Sequence, residues 1–267
     1  NVKKFETTSS GVTVTGVTTL SGNVGVGASP NNHGGMTRVL EISGASDVQL
    51  ALHATSDSLA DNARIGEVAF MGGSDSTTPI LSAIVGRTSG TSEASGQLSF
   101  HTRGTDSAGL PTERMRIDQN GHVTMPSQPA FLSGTSRVTT ITGDGTTYSA
   151  TAATWTDIYD QNADFSNGTF TAPVTGKYNF TFLLTLAGTA TNHTNSTFTF
   201  VVSNRNTTYY NSPGVDRNTS LGGTSYVLTT NVDMDANDTA HLSIHVAGGD
   251  KTVMLYELSR FSGYLVC

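Results

Sequence analysis

The chain has 267 residues, a formal net charge of -7, 36% hydrophobic residues and only 13% charged ones. A charge of that sign argues against gripping nucleic acid through its phosphates, which takes clustered Lys and Arg. The low charged fraction is not that of a disordered chain, which normally carries high net charge, and no run of 18 apolar residues is present to span a membrane as a helix. Gly, Thr, Ser and Asn fill the remainder, as expected of many short strands joined by turns. The chain begins at Asn1 without a methionine and reads as a fragment or a processed form. Cys267 is the only cysteine and stands last, so neither an intrachain disulfide nor a cysteine metal site can form.

Residues 1–27 place Val12, Val14, Val17 and Leu20 among Thr and Gly. Alone, such a segment buries too little apolar surface to offset its ordering entropy. One reading is a β shaft in which identical copies wind about a shared axis; the other is a flexible linker. Residues 28–126 hold apolar alternations that predict strands over Arg38–Ile42, Val48–Leu52, Ile65–Phe70, Ile80–Val85, Leu98–His101 and Met115–Ile117. Glu113-Arg114-Met115-Arg116-Ile117 then runs into Asp118-Gln119-Asn120-Gly121, a hairpin turn, and His122-Val123. Residues 127–267 predict strands over Arg137–Thr140, Trp155–Ile158, Gly168–Thr171, Gly176–Leu186, Ser196–Ser203, Thr207–Tyr210, Thr224–Val232, Thr239–Val246, Lys251–Leu258 and Ser262–Val266. Trp155, Phe170, Tyr178, Phe180, Phe182, Phe198, Phe200, Leu242, Ile244, Leu255, Phe261 and Leu265 are the inward candidates.

Two blocks in this last zone carry a resemblance. Phe165–Phe182 has the Asn167-Gly168 turn, Phe170, Pro173, Gly176 and alternating Tyr178, Phe180 and Phe182; the chain then closes on Phe261-Ser262-Gly263-Tyr264-Leu265. This spacing resembles the globular heads of the C1q-like (TNF-like) family and implies a ten-stranded jelly roll acting as a homotrimer. The first zone resembles shaft segments of bacteriophage tail fibres, and the Glu113–Val123 pattern resembles one that joins modules in virion fibre proteins. Together these imply an all-β protein in three parts: an intertwined β shaft at 1–27, a β-rich connector at 28–126 and a C1q-like knob at 127–267. They imply a tail fibre of a virion whose trimeric knob attaches to a host. Its partners would be itself, other tail or fibre proteins at the N-terminal end, and a host-surface glycan or outer-membrane protein. A head fibre or capsid decoration protein, and a secreted C1q-like lectin or adhesion protein, are the alternatives.

Candidate chemistry is sparse. The loop 204–221 sets Tyr209 and Tyr210 near Arg205, Asp216 and Arg217, and aromatic faces beside Arg suit sugar recognition. The same two tyrosines also fit a strand with one inward and one outward residue. Asp233-Met234-Asp235-Ala236-Asn237-Asp238 reads as a turn, with a Ca2+ loop as the alternative, though it lacks that loop's central Gly and terminal Glu. None of the seven histidines forms a metal-ligand doublet, and His241 and His245 share a strand face. Seven Asn-x-Ser/Thr sequences, from Asn167 to Asn237, are expected to be fortuitous in a chain this rich in Asn and Thr. Neither a paired-carboxylate site nor a nucleophile triad is visible, so the expectation is a binding protein and not an enzyme, a depolymerase being the enzyme-class rival.

Overall fold

The computed structural model of the chain describes residues 47–52, 54, 59–72, 79–90, 95–104, 111–203 and 223–267, together with the backbone of 5–8, 11–14, 24–26, 40–42 and 208–211. Its strands are numbered in chain order. β1 (Phe5–Thr8) and β2 (Gly11–Val14) pair antiparallel, and β3 (Val24–Val26) lies parallel to β4 (Leu40–Ile42). β5 (Arg64–Met71), β6 (Ile80–Thr88), β7 (Gly96–Thr102), β8 (Thr112–Ile117) and β9 (Val123–Thr124) form an antiparallel five-stranded meander. β6 runs on to Thr88 because that residue's hydroxyl donates to the Ala60 carbonyl at 2.7 Å and accepts from the Ala63 N–H at 2.9 Å. The turn between β8 and β9 falls at Asp118–Gly121 as expected. The Asp118 carboxylate accepts the N–H groups of Asn120 and His122, and Gly121 takes φ +83, a conformation only glycine adopts cheaply.

The expected strand at Val48–Leu52 is not formed. These residues are irregular, and Leu52 instead lies against Gly66 of β5. Its apolar alternation marks side chains that rest on a sheet, with no backbone partner among the described residues to make a ladder.

The remainder builds two facing sheets from β10 (Ala130–Thr135), β11 (Val138–Thr142), β12 (Thr147–Ser149), β13 (Trp155–Asp160), β14 (Phe165–Ser166), β15 (Thr169–Thr171), β16 (Gly176–Ala187), β17 (Asn195–Val202), β18 (Thr208–Asn211), β19 (Thr224–Met234), β20 (Thr239–Ala247), β21 (Val253–Leu255) and β22 (Arg260–Leu265). The first sheet runs β13–β10–β22–β16–β19, with β21 beside the end of β16 and β11 beside β21. The second runs β14–β15–β20–β17–β18, with β12 beside β20. All these pairs are antiparallel. The chain changes sheet from β15 to β16, again to β17, and again from β18 to β19 to β20, which is jelly-roll winding. Among the described residues no helix is long and apolar enough to cross a membrane.

The core is aromatic. Burial alternates along the whole of β20, and in β16 it begins with Tyr178, Phe180 and Phe182 at 0% exposure. Trp155 and Leu265 are partly buried against this core, and the other ten inward candidates are buried. Phe131 and Phe165, which are not among those candidates, stack at 4.5 Å between ring centres, and Phe131 meets Phe261 edge-on at 5.0 Å. Asn167 (φ 48) and Gly168 (φ 76) make a two-residue left-handed turn between β14 and β15. A side chain on Gly168 would strike the Trp155 ring and the Ala150 carbonyl, to which the Trp155 indole N–H donates at 2.8 Å.

Candidate functional site

Of the residues expected to recognise a ligand, Arg205, Asp216 and Arg217 lie outside the described residues. Tyr209 and Tyr210 belong to β18, the edge strand of the second sheet, where the register sets them opposite Phe200 and Thr199. The structure thus places both tyrosines on strand backbone.

The jelly roll has two ends of different character. At one end the chain enters β10: the Pro129 carbonyl accepts the Leu265 N–H, and the Lys177 N–H donates to the Cys267 carbonyl. At the opposite end lie the turns after β11 (143–146), β16 (188–194) and β20 (248–252). There too the chain leaves β18 at Asn211 and returns at Gly223, just before Thr224 of β19 pairs with Leu186 of β16.

His193 ties three of these turns together. It is completely buried. Its Nδ1 accepts the Ala190 N–H at 2.9 Å, so the proton sits on Nε2, which donates to the Asp250 carbonyl at 3.1 Å. Gly143 and Gly249 pack directly on the ring; a Cβ on either would lie within 3 Å of Nε2. Gly143 has φ +127, and its carbonyl accepts the Gly249 N–H. Asp144 in the first turn accepts the hydroxyl and the N–H of Thr146, which hold its carboxyl below the usual carboxylate range.

A second polar group decorates this end. The Arg137 guanidinium reaches Glu257 with two hydrogen bonds of 2.7 and 2.9 Å and lies 4.2 Å from the centre of the Tyr256 ring. The paired hydrogen bonds push Arg137 up and Glu257 down from their ordinary values. Both partners are solvent-exposed, so the pair orients side chains and adds little stability. No sequence signal could have brought these groups together, since Arg137 and Glu257 are 120 residues apart.

The acidic cluster resolves as a turn. Asp235–Asp238 joins β19 to β20, with Asn237 at φ 73. Asp238 is buried, and its carboxylate is occupied within the protein: one oxygen accepts the Asp235 N–H at 2.8 Å and the other the Ser203 hydroxyl at 3.2 Å. Ser203 in turn accepts the Thr239 N–H. Among the described residues no group of three or more His, Cys, Asp or Glu side chains is placed to hold a metal. Asp238→Ala is expected to leave those donors unpaired and cost about 1–2 kcal/mol. The melting temperature should fall by the same amount with and without millimolar calcium; a loss seen only with calcium would restore the metal-loop reading. His241 and His245 stand on β20 opposite Val201 and Thr197, and burial lowers the pKa of His241.

The strand order defines the C-terminal half as a jelly-roll sandwich. No protein-family model matches the sequence, and neither does any curated protein. Solved structures with a similar fold include the globular domain of zebrafish complement 1qA protein (19% identity, TM-score 0.37) and murine APRIL (12% identity, TM-score 0.37). Each comparison covers 52% of this chain and 98% of the other.

Proposed function

We propose that this chain is a fibre component of a virion, built as a homotrimer, whose jelly-roll tip binds a host-cell surface glycan or outer-membrane protein during attachment. The observation that carries the reading is the outward face of the first sheet. Three rows cross it: Ala130, Tyr264, Asn179 and Asn231; Leu132, Ser262, Thr181 and Thr229; Gly134, Arg260, Leu183 and Val227. Arg260 is the single charge in these rows, and it folds back over Gly134 to donate to the Glu257 and Ser259 carbonyls. Val227 is 62% exposed and Tyr264 52%. A broad strand face with hydroxyls, amides and exposed apolar groups, its other charges set in the Lys177–Asp233 row at one end, suits contact with another protein surface. Packing copies through it leaves the turns around His193 and the Arg137–Tyr256–Glu257 group at the end away from the chain's entry. Many tips on one particle would add avidity to a weak site. N-terminal residues would join other virion proteins.

Two measurements test this. Sedimentation of the chain at micromolar concentration is expected to show a trimer or a multiple of one, and Val227→Glu to abolish the threefold association; a wild-type monomer sinks the assembly claim. Saturating host cells with the purified chain should then block particle adsorption, whereas unchanged adsorption would leave only a structural role.

A further inference from the structure

We infer that the five-stranded sheet β5–β9 carries a second self-association surface: its apolar face docks against the same face of another copy of this chain. The reading concerns residues 47–126 and stands apart from assembly through the jelly roll.

The two faces of this sheet are inverted relative to ordinary expectation. One face carries the charged residues. Arg64 pairs with Glu67 at 2.7 Å, Arg116 pairs with Glu113 at 2.6 Å and also reaches Gln97, and Ser99 bonds His101. These long side chains cover their own face so well that Val85, among them, is 1% exposed. The other face is apolar along two rows, with Arg114 at its margin donating to the Thr102 hydroxyl at 3.1 Å. Register sets Val68, Ile84, Phe100 and Met115 in one row across four strands. The neighbouring row is Gly66, Gly86, Leu98, Ile117 and Val123. On this face Val68 is 44% exposed.

A sheet with an apolar face is stable when that face is covered. Among the described residues Leu50 and Leu52 alone come against it, at the Gly66 end, where they border a groove of about 280 Å³. Leu50 itself stays 63% exposed. Four strands of six to nine residues and the two-residue β9, about 4.8 Å apart, give a face of roughly 500 Å². That lies in the upper part of the range of apolar patches a monomer leaves open, ~300–600 Å², and is more than half of the ~800 Å² per partner of a standard interface.

Three features select a copy of the chain as the occupant. The two apolar rows carry no charge, so two of them approach without repulsion although each chain carries -7. The glycine row leaves a trough, and the exposed aliphatic groups that would fill one, Leu50, Val68 and Leu98, stand on the same surface. Ridge and trough on one patch make it self-complementary, as an isologous contact requires.

The test uses the full chain with Cys267→Ser and a single new cysteine, treated with a bismaleimide that spans ~10 Å, the face-to-face spacing of packed sheets. Val68→Cys is expected to give covalent dimers, and Arg64→Cys on the opposite face to remain at single-chain mass. Equal cross-linking at both positions, or none at Val68→Cys, overturns the inference. Adding Val227→Glu separates it from the jelly-roll assembly. Cross-links at Val68→Cys that survive that substitution support an independent surface, and cross-links that vanish with it overturn one. Sedimentation of Val227→Glu alone reports on the other reading.

Discussion

Gly263→Val is expected to unfold the jelly roll at temperatures where the native chain is fully folded. Gly263 faces inward on β22, and the register places it between Phe131 of β10 and Phe180 of β16. The two rings occupy the space its missing side chain leaves. A Cβ there would lie 2.5 Å from Phe180 Cδ1 and 2.8 Å from Phe131 Cε1, well inside contact distance. Neither ring can retreat. Phe180 meets Phe170 at 5.3 Å and Phe261 at 5.7 Å, and Phe131 is stacked on Phe165. Overpacking a dense core costs about 1–3 kcal/mol when neighbours can shift, and more when they cannot, so a loss of about 3 kcal/mol or more is expected. At about 3 °C per kcal/mol for a domain of this size, the melting temperature should drop by roughly 10 °C. Tyr264→Val, one residue on and facing outward, should leave the melting of the monomer nearly unchanged. Thermal unfolding followed by near-ultraviolet circular dichroism decides it: a Gly263→Val melt within 2 °C of the native chain would mean that the aromatic core is loosely packed.

That glycine explains why the chain's closing block was legible. Phe261-Ser262-Gly263-Tyr264 alternates inward and outward, and the two inward positions are the ones on which the Phe131, Phe180 and Phe182 rings converge. The Asn167-Gly168 turn was legible for a similarly local reason, because two successive left-handed residues admit few other pairs. Phe131 was not. It lies in a short run of small residues without a companion aromatic, and its partners are supplied by strands 34 to 130 residues further on, from Phe165 to Phe261. β10 was missed with it. Val48–Leu52 failed in the opposite direction: period-two apolarity shows which side chains seek cover and does not show whether a neighbouring backbone is available. The candidate site was the least legible part. Tyr209 and Tyr210 were recognisable as strand residues from their setting, but the group at the far end of the sandwich depends on contacts spanning 57 residues, between His193 and Asp250, and 120, between Arg137 and Glu257.

His193→Ala is the second substitution expected to have a large effect, and it bears on the candidate binding end. The ring is fully buried and satisfies one backbone donor and one backbone acceptor. Removing it strands the Ala190 N–H, at about 1 kcal/mol or more, takes from the Asp250 carbonyl one of its donors while the Thr252 N–H at 2.8 Å remains, and leaves a cavity where the imidazole packed on Gly143 and Gly249. A total loss of about 2–4 kcal/mol is expected. His193→Asn separates the contributions, since its side-chain oxygen can stand near the position of Nδ1 and accept the Ala190 N–H, but it lacks the reach to Asp250. It should recover about half of the loss. Because Thr142 bonds both the N–H and the carbonyl of Val246 at the root of this end, the strands themselves should hold. The damage should therefore appear first as faster amide exchange in Gly188–Thr194 and Gly248–Thr252, with the β16 and β20 amides still protected. If these turns form the ligand-contacting surface, His193→Ala will weaken attachment at temperatures well below its melting point, while the sedimentation of the chain stays that of the native protein. Attachment that persists unchanged after the turns have loosened would move the binding surface elsewhere on the jelly roll.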